Sequence, residues 1–167
     1  MKPYRPDISI IPSNTDKVID VVATLLLVLL WLYTIYNYTA LPAVIPTHFN
    51  FVGNVDRYGS KQVLLILPIV ATFIILLMHT IGKYPNMHNY ITTLTPQNVV
   101  IHYTNSTKLL RYIKLGVVIL LGYITYIVIQ ASKGCNAKLG GMFFIVLFCT
   151  IFLPTIITII LSYKKDK

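Results

Sequence analysis

The sequence predicts an all-α membrane protein: a four-transmembrane-helix bundle with both termini cytoplasmic, an ordered extracytoplasmic loop between helices 1 and 2, and a small cytoplasmic β pairing. Three observations predict it. Hydrophobic residues make up 56% of the 167-residue chain against 11% charged, with no glutamate, a balance that places it among membrane proteins. Four apolar runs approach the roughly 20 residues that cross a hydrocarbon core. Positive charge is unevenly shared between the alternate flanks of those runs, ten of the 14 Lys and Arg falling on one side, which marks that side as cytoplasmic. A single membrane domain over 1–167 is expected, with spans at about 18–38, 62–81, 109–130 and 139–163, an outer loop over 39–61 and an inner loop over 82–108.

The elements follow in order. Pro3, Pro6 and Pro12 surround Ile8-Ser9-Ile10-Ile11 and keep the start of the chain extended. Ser13-Asn14-Thr15-Asp16 then supplies a capping residue with a carboxylate three positions later, a helix start just before the first apolar run. That run is too long, and too far from a small-residue cleavage site, to be a removed signal peptide; its Trp31, Tyr33, Tyr36 and Tyr38 suit an aromatic belt at the far interface. Pro68 and Pro154 should kink the second and fourth helices, while Gly116 and Gly122 allow neighbours to approach closely. In the inner loop, Asn89-Tyr90-Ile91-Thr92-Thr93-Leu94 favours a short extended segment, which we expect to pair with residues 8–11. Thr95-Pro96 reads as an N-cap and first helical position, so this helix should begin near Pro96 and run on into the third span.

Ten cations on one side are Lys2, Arg5, Lys17, Lys83, Lys108, Arg111, Lys114, Lys164, Lys165 and Lys167; Arg57, Lys61, Lys133 and Lys138 lie on the other. The net charge of +9 is therefore a topology signal and an attraction to anionic lipid, and points to the bilayer and not to nucleic acid as partner. Asp20 lies about one turn into the first helix, where an ionised group finds a partner or reaches water; Arg111 and Lys114 enter at the same depth. Their ion pair is the structural expectation and a proton or ion relay the functional one. His79 is expected at the interface. Cys135 and Cys149 would stand roughly 20 Å apart along a helix, too far to bridge, and read as free thiols.

The chemistry concentrates in the outer loop. His48, Asn50, Asn54 and Asp56 offer an imidazole, two amides and a carboxylate, with Gly53 and Gly59 permitting tight turns. His48, Asn50 and Asp56 are a candidate metal set, imidazole suiting a transition ion and the oxygens suiting calcium, although the spacing fits neither a zinc finger nor an EF-hand. The plainer alternative is that these groups satisfy one another where the loop dips toward the helices. No nucleophile elbow, HExxH or P-loop is present, so catalysis has no motif behind it and no cofactor is expected beyond such an ion. His48, Phe49, Asn50, Asp56, Tyr58 and Lys61 are the candidate ligand-binding residues.

This loop resembles a family signature. Leu41, Pro42, Ile45, Pro46, His48, Phe49, Asn50, Gly53, Asp56, Tyr58, Gly59, Ser60 and Lys61 meet the fixed positions of L-P-x-x-I-P-x-H-[FW]-N-x-x-G-x-x-D-x-[YW]-G-S-K, the pattern of a bacterial membrane domain of unknown function shared with the N-terminal part of SdpI-type immunity proteins. The inner loop adds Tyr84-Pro85, Asn89-Tyr90, Thr95, Asn98 and Tyr103, at spacings similar to those of family members; Pro96-Gln97 stands where members often carry acidic residues. The resemblance implies a multispanning bacterial inner-membrane protein and, in the SdpI-type branch, protection of the cell against a secreted peptide toxin. Recognition of a peptide toxin or lipid outside the membrane is the leading expectation. A metal-dependent site at His48 and Asp56, and a small transporter or ion-conducting homo-oligomer, are the alternatives.

Overall fold

The computed structural model describes residues 4–164; Lys2, Lys165 and Lys167, and the side chain of Lys164, lie outside what is described, so their part in the charge count rests on sequence alone. Among the described residues four stretches are long and apolar enough to cross a membrane: Asn14–Tyr38, Lys61–Ile81, Val99–Ser132 and Gly141–Ser162. This is a multi-pass membrane protein. We label the helices α1 (Asn14–Tyr38), α2 (Ile66–Ile81), α3 (Val99–Ser132), α4 (Gly141–Leu147) and α5 (Leu153–Lys164), the last two forming the fourth span. The strands are β1 (Val44–Phe49) and β2 (Val55–Ser60).

The sequence explains the helix ends. Ser13 caps α1 with a reciprocal box: its hydroxyl accepts from the Asp16 amide at 3.2 Å, and the Asp16 carboxylate accepts from the Ser13 amide at 2.8 Å. Helix α3 starts at Val99 and not at Pro96. The Asn98 carboxamide oxygen accepts from the Thr95 amide at 2.8 Å, and Thr95 Oγ1 accepts from the Asn98 amide at 3.3 Å, so the Thr95–Asn98 turn closes on itself before the helix proper begins. At 34 residues and about 1.5 Å per residue, α3 is roughly 50 Å long, and its first turns must project past a core about 30 Å thick.

The two span prolines sit at changes of helix type. Pro68 falls in the first turn of α2, just after the 3-10 turn Lys61–Leu65. Pro154 follows a π-helical turn over Phe148–Phe152. A proline cannot donate to the carbonyl four residues back, here Thr150, and that carbonyl lies against Gly116 of α3, where a β-carbon would collide with it. Gly116 thus lets α3 and the fourth span approach at the site where Pro154 has freed a backbone acceptor.

Helix α3 is the packing centre, in contact with α1, α2, β1, the π turn and α5. Trp31 Nε1 donates to Thr72 Oγ1 at 3.0 Å, tying α1 to α2, so this indole is held between helices. Tyr33 stacks on Tyr126 of α3 at 6.4 Å.

The β pairing lies elsewhere than expected. Among the described residues the sheet is a two-stranded antiparallel hairpin of β1 and β2, within the loop joining α1 to α2. Residues 8–11 and 89–94 form no strands, although Ile8, Ile10 and Tyr90 do pack together on Leu94, Val99 and Tyr103. The hairpin needs only a short local closure, whereas the expected pair would have joined segments far apart in the chain.

Candidate functional site

The hairpin is built from its turn outward. The Asn50 amide donates to the Asn54 carbonyl and the Gly53 amide to the Asn50 carbonyl, both at 2.8 Å, while Asn50 Oδ1 accepts from the amides of Val52 and Asn54 at 3.0 Å each. This is an Asx-type closure, in which the side chain replaces a ladder partner. Gly53 sits at φ 82°, in the left-handed region that glycine enters without penalty. Its carbonyl accepts from the Leu139 amide at 3.0 Å, docking the hairpin tip onto the segment before α4, and Phe51 meets Phe144 of α4 at 5.8 Å between ring centres.

Along the strands, Val44 pairs with Ser60, Ile45 with Gly59 and Pro46 with Tyr58; Thr47 and Asp56 are then the extra residues of two irregularities, after which Phe49 pairs with Val55. The shift brings Asp56 beside His48, with His48 Nδ1 2.6 Å from Asp56 Oδ1. Both side chains are open to solvent, 58% and 40% exposed, so the pair contributes at most about 1 kcal/mol to stability and serves chiefly to orient the imidazole.

The base of the hairpin is buried. Leu41, Ile45, Leu64, Val128 and Ile129 form one apolar cluster, on which Phe49 packs from β1. Lys61 turns back under it: its ammonium donates to the carbonyls of Tyr38 and Leu41 at 3.2 Å each and lies 4.9 Å from the centre of the Tyr38 ring. Lys133 Nζ donates to Asn37 Oδ1 at 2.6 Å. Two lysines therefore cover the C-terminal end of α1, where unpaired carbonyls attract cations. Ser60 accepts from the Gln62 amide at 3.4 Å and begins the next turn.

Of the six candidate ligand residues, then, Asn50 and Lys61 face backbone groups of their own fold, Phe49 is half-buried, Tyr58 stands exposed on β2, and His48 and Asp56 meet each other. Of the candidate metal set, His48 and Asp56 lie side by side and Asn50 stands apart from them in its hydrogen bonding. Asn50 Oδ1 is turned into the hairpin loop, and no group of three His, Cys, Asp or Glu converges anywhere among the described residues. Beneath β1 lies a groove of about 260 Å³, lined by Pro46, Phe49, Val63, Leu67, Ile124 and Leu139 with His48 at its margin. Leu139 and Phe144 fall within the fourth span expected from sequence, and their spacing from the hairpin carries no signal of the contact they make with it.

Residues 25–72 match the family described as Domain of unknown function (DUF1648). The matched range runs from within α1 through both strands into the start of α2, so the hairpin is its centre. An uncharacterized protein from Archaeoglobus fulgidus is 39% identical over a stretch covering 46% of this chain and 46% of its own. The chain thus spans about half the length of that relative. No solved structure matches it.

At the opposite end of the helices a second polar cluster straps the first residues to the loop before α3. Arg5 donates to the carbonyls of Asn86 at 2.9 Å and His88 at 2.7 Å, its guanidinium 5.9 Å above the Tyr90 ring. Tyr90 donates to the Pro85 carbonyl at 2.7 Å and shares a hydrogen bond with Ser106 at 2.9 Å; His88 Nδ1 also meets Ser106 at 3.0 Å, and Tyr103 donates to the Pro6 carbonyl at 3.1 Å. Burial pushes the Tyr90 hydroxyl up to about 12, against the opposing pull of the Ser106 hydrogen bond and the Arg5 charge. In an unfolded chain it would ionise near 10. The folded state therefore holds this proton longer, and the stability it contributes is complete below pH 10 and lost as pH rises toward 12. Alkaline unfolding curves should fall more steeply over that window for the wild type than for Tyr90→Phe, and parallel curves would refute the assignment.

Proposed function

We propose that the protein is an inner-membrane protein with both termini in the cytoplasm, and that its outward hairpin recognises an apolar segment of a secreted peptide, protecting the cell as SdpI-type immunity proteins do, without catalysis. The groove under β1 carries this reading. At about 260 Å³ it is smaller than the roughly 300–1,000 Å³ of sites that enclose a drug-sized ligand, and suits one or two apolar side chains of a longer partner. Beside it the hairpin tip holds Phe51 and Val52 at 90% and 74% exposure, an arrangement that leaves apolar surface where a partner can reach it.

Charge favours the same partner. Of the four cations on the outward side, Lys61 and Lys133 are engaged by the end of α1, which leaves Arg57 and Lys138 against Asp56. Recognition must then rest on apolar contact by Phe49, Phe51, Val52 and Tyr58. The orientation draws on the ten-to-four division of Lys and Arg.

Expression in a bacterium sensitive to secreted membrane-active peptides tests it. Wild-type protein should raise survival, Leu67→Trp should abolish the protection by filling the groove while leaving the protein in the membrane, and the His48→Ala, Asp56→Ala double variant should weaken it. Equal sensitivity with and without the protein removes the proposal.

A further inference from the structure

We infer that a cavity at the end of the bundle opposite the hairpin binds a phosphate group, presented either by an anionic phospholipid or as the free ion. The cavity, about 300 Å³, lies between the start of α1, the end of α2 and the middle of α3, and residues 9–12 cover one side. Lys83, Arg111 and Lys114 line it against a single carboxylate, Asp20.

Two of those cations close on that one anion, Lys114 buried and Arg111 half-buried. Lys114 is 4% exposed, its Nζ 2.5 Å from Asp20 Oδ1, and Arg111 Nε lies 3.2 Å from Asp20 Oδ2. One negative charge divided between a buried and a half-buried cation leaves positive charge in excess in the cavity, which a further anion would complete. Asp16, which acts on Arg111 from one turn earlier, is shared with Lys108 and has its carboxylate engaged by the Ser13 amide and hydroxyl at 2.8 and 2.7 Å. Arg111 presents further N–H donors beyond Nε, and these make no other hydrogen bond to the described residues. A planar fork of this kind matches phosphate oxygens, and Lys83 stands exposed at the rim to meet the same group as a point charge. The neighbouring surface of α1 and α2 exposes Val21, Leu76 and Leu77, so acyl chains could lie alongside a headgroup held in the cavity. Basic pockets between membrane helices take lipid headgroups by this chemistry.

The purified full chain in detergent can be offered inorganic phosphate, a short-chain phosphatidylglycerol or a short-chain phosphatidylcholine, with thermal shift and native mass spectrometry as readouts. Phosphatidylglycerol should be retained and phosphatidylcholine should not. Arg111→Gln should weaken retention about tenfold, as loss of a charge-assisted hydrogen bond does, and Lys83→Gln about threefold. The exposed Lys83→Gln carries the test if Arg111→Gln does not fold. Stabilisation by inorganic phosphate that also displaces the lipid identifies the phosphate group itself as ligand; binding of the lipid alone identifies the intact headgroup and its chains. Lys17→Gln removes an equal charge outside the cavity and should change nothing. Failure of both phosphate and phosphatidylglycerol to bind, or an equal loss with Lys17→Gln, overturns the inference.

Discussion

Replacing Gly53 by alanine is expected to unseat the hairpin and to destabilise the protein by about 3 kcal/mol, the sum of a backbone term and a packing term. The backbone term is the cost of holding a β-carbon at φ 82°, about 1–2 kcal/mol. The packing term arises because that carbon would stand 2.7 Å from Leu139 C, 2.8 Å from its oxygen and 2.9 Å from Gly140 N. All three are backbone atoms, so no rotamer change relieves the contact, and the 3.0 Å hydrogen bond from the Leu139 amide to the Gly53 carbonyl must stretch or break. Gly134 supplies the control. It has a similar φ of 80° but nothing within 4 Å of its added β-carbon, so Gly134→Ala should cost only the backbone term. Thermal unfolding in detergent would show the difference, with faster proteolysis at Phe51 and Val52 in Gly53→Ala. Equal losses for the two variants would mean that the hairpin tip is not docked.

That contact also shows where sequence stops informing structure. Hydropathy located the four spans because apolar length alone decides whether a helix can cross a bilayer. Ser13 and Asp16 announced the start of α1 because a capping box is complete within four residues. The hairpin was harder. Asn50 and Gly53 are turn residues at hairpin spacing, and Val44-Ile45 and Val55 suit strands, yet Pro42 and Pro46 argue against a ladder, and the irregularities at Thr47 and Asp56 break the period-two pattern that would have exposed it. Pro46 is tolerated because this two-stranded sheet consists only of edges. The polar residues of the loop left two readings open in sequence for a related reason: an amide or ammonium that binds a ligand and one that satisfies a backbone group are the same side chain. Only the fold shows that Lys61 reaches Tyr38 and Leu41, and that Asn50 turns toward Val52 and Asn54. The start of α3 slipped from Pro96 to Val99 because the Thr95–Asn98 hydrogen bonds close a turn that competes with a helical N-terminus.

The second large effect is expected at Asp20. Asp20→Ala should destabilise the protein by about 3 kcal/mol, because it leaves the Lys114 ammonium buried without its carboxylate. Arg111 suffers less, since its side chain is 16% exposed against 6% for Lys114, and Asp16 remains within electrostatic reach. The sign of the double change separates two explanations. If Asp20 matters because it compensates a buried charge, then adding Lys114→Met, which keeps the length of the side chain and removes that charge, should recover most of the loss. If Asp20 instead matters through packing of α1 on α3, Lys114→Met will add its own cost. Chemical unfolding of the two single variants and the double variant closes this cycle, and a positive coupling of at least about 1 kcal/mol is the expected result. Its absence would mean that Lys114 finds water or another acceptor despite its burial, and that one carboxylate is not what holds both cations at this depth.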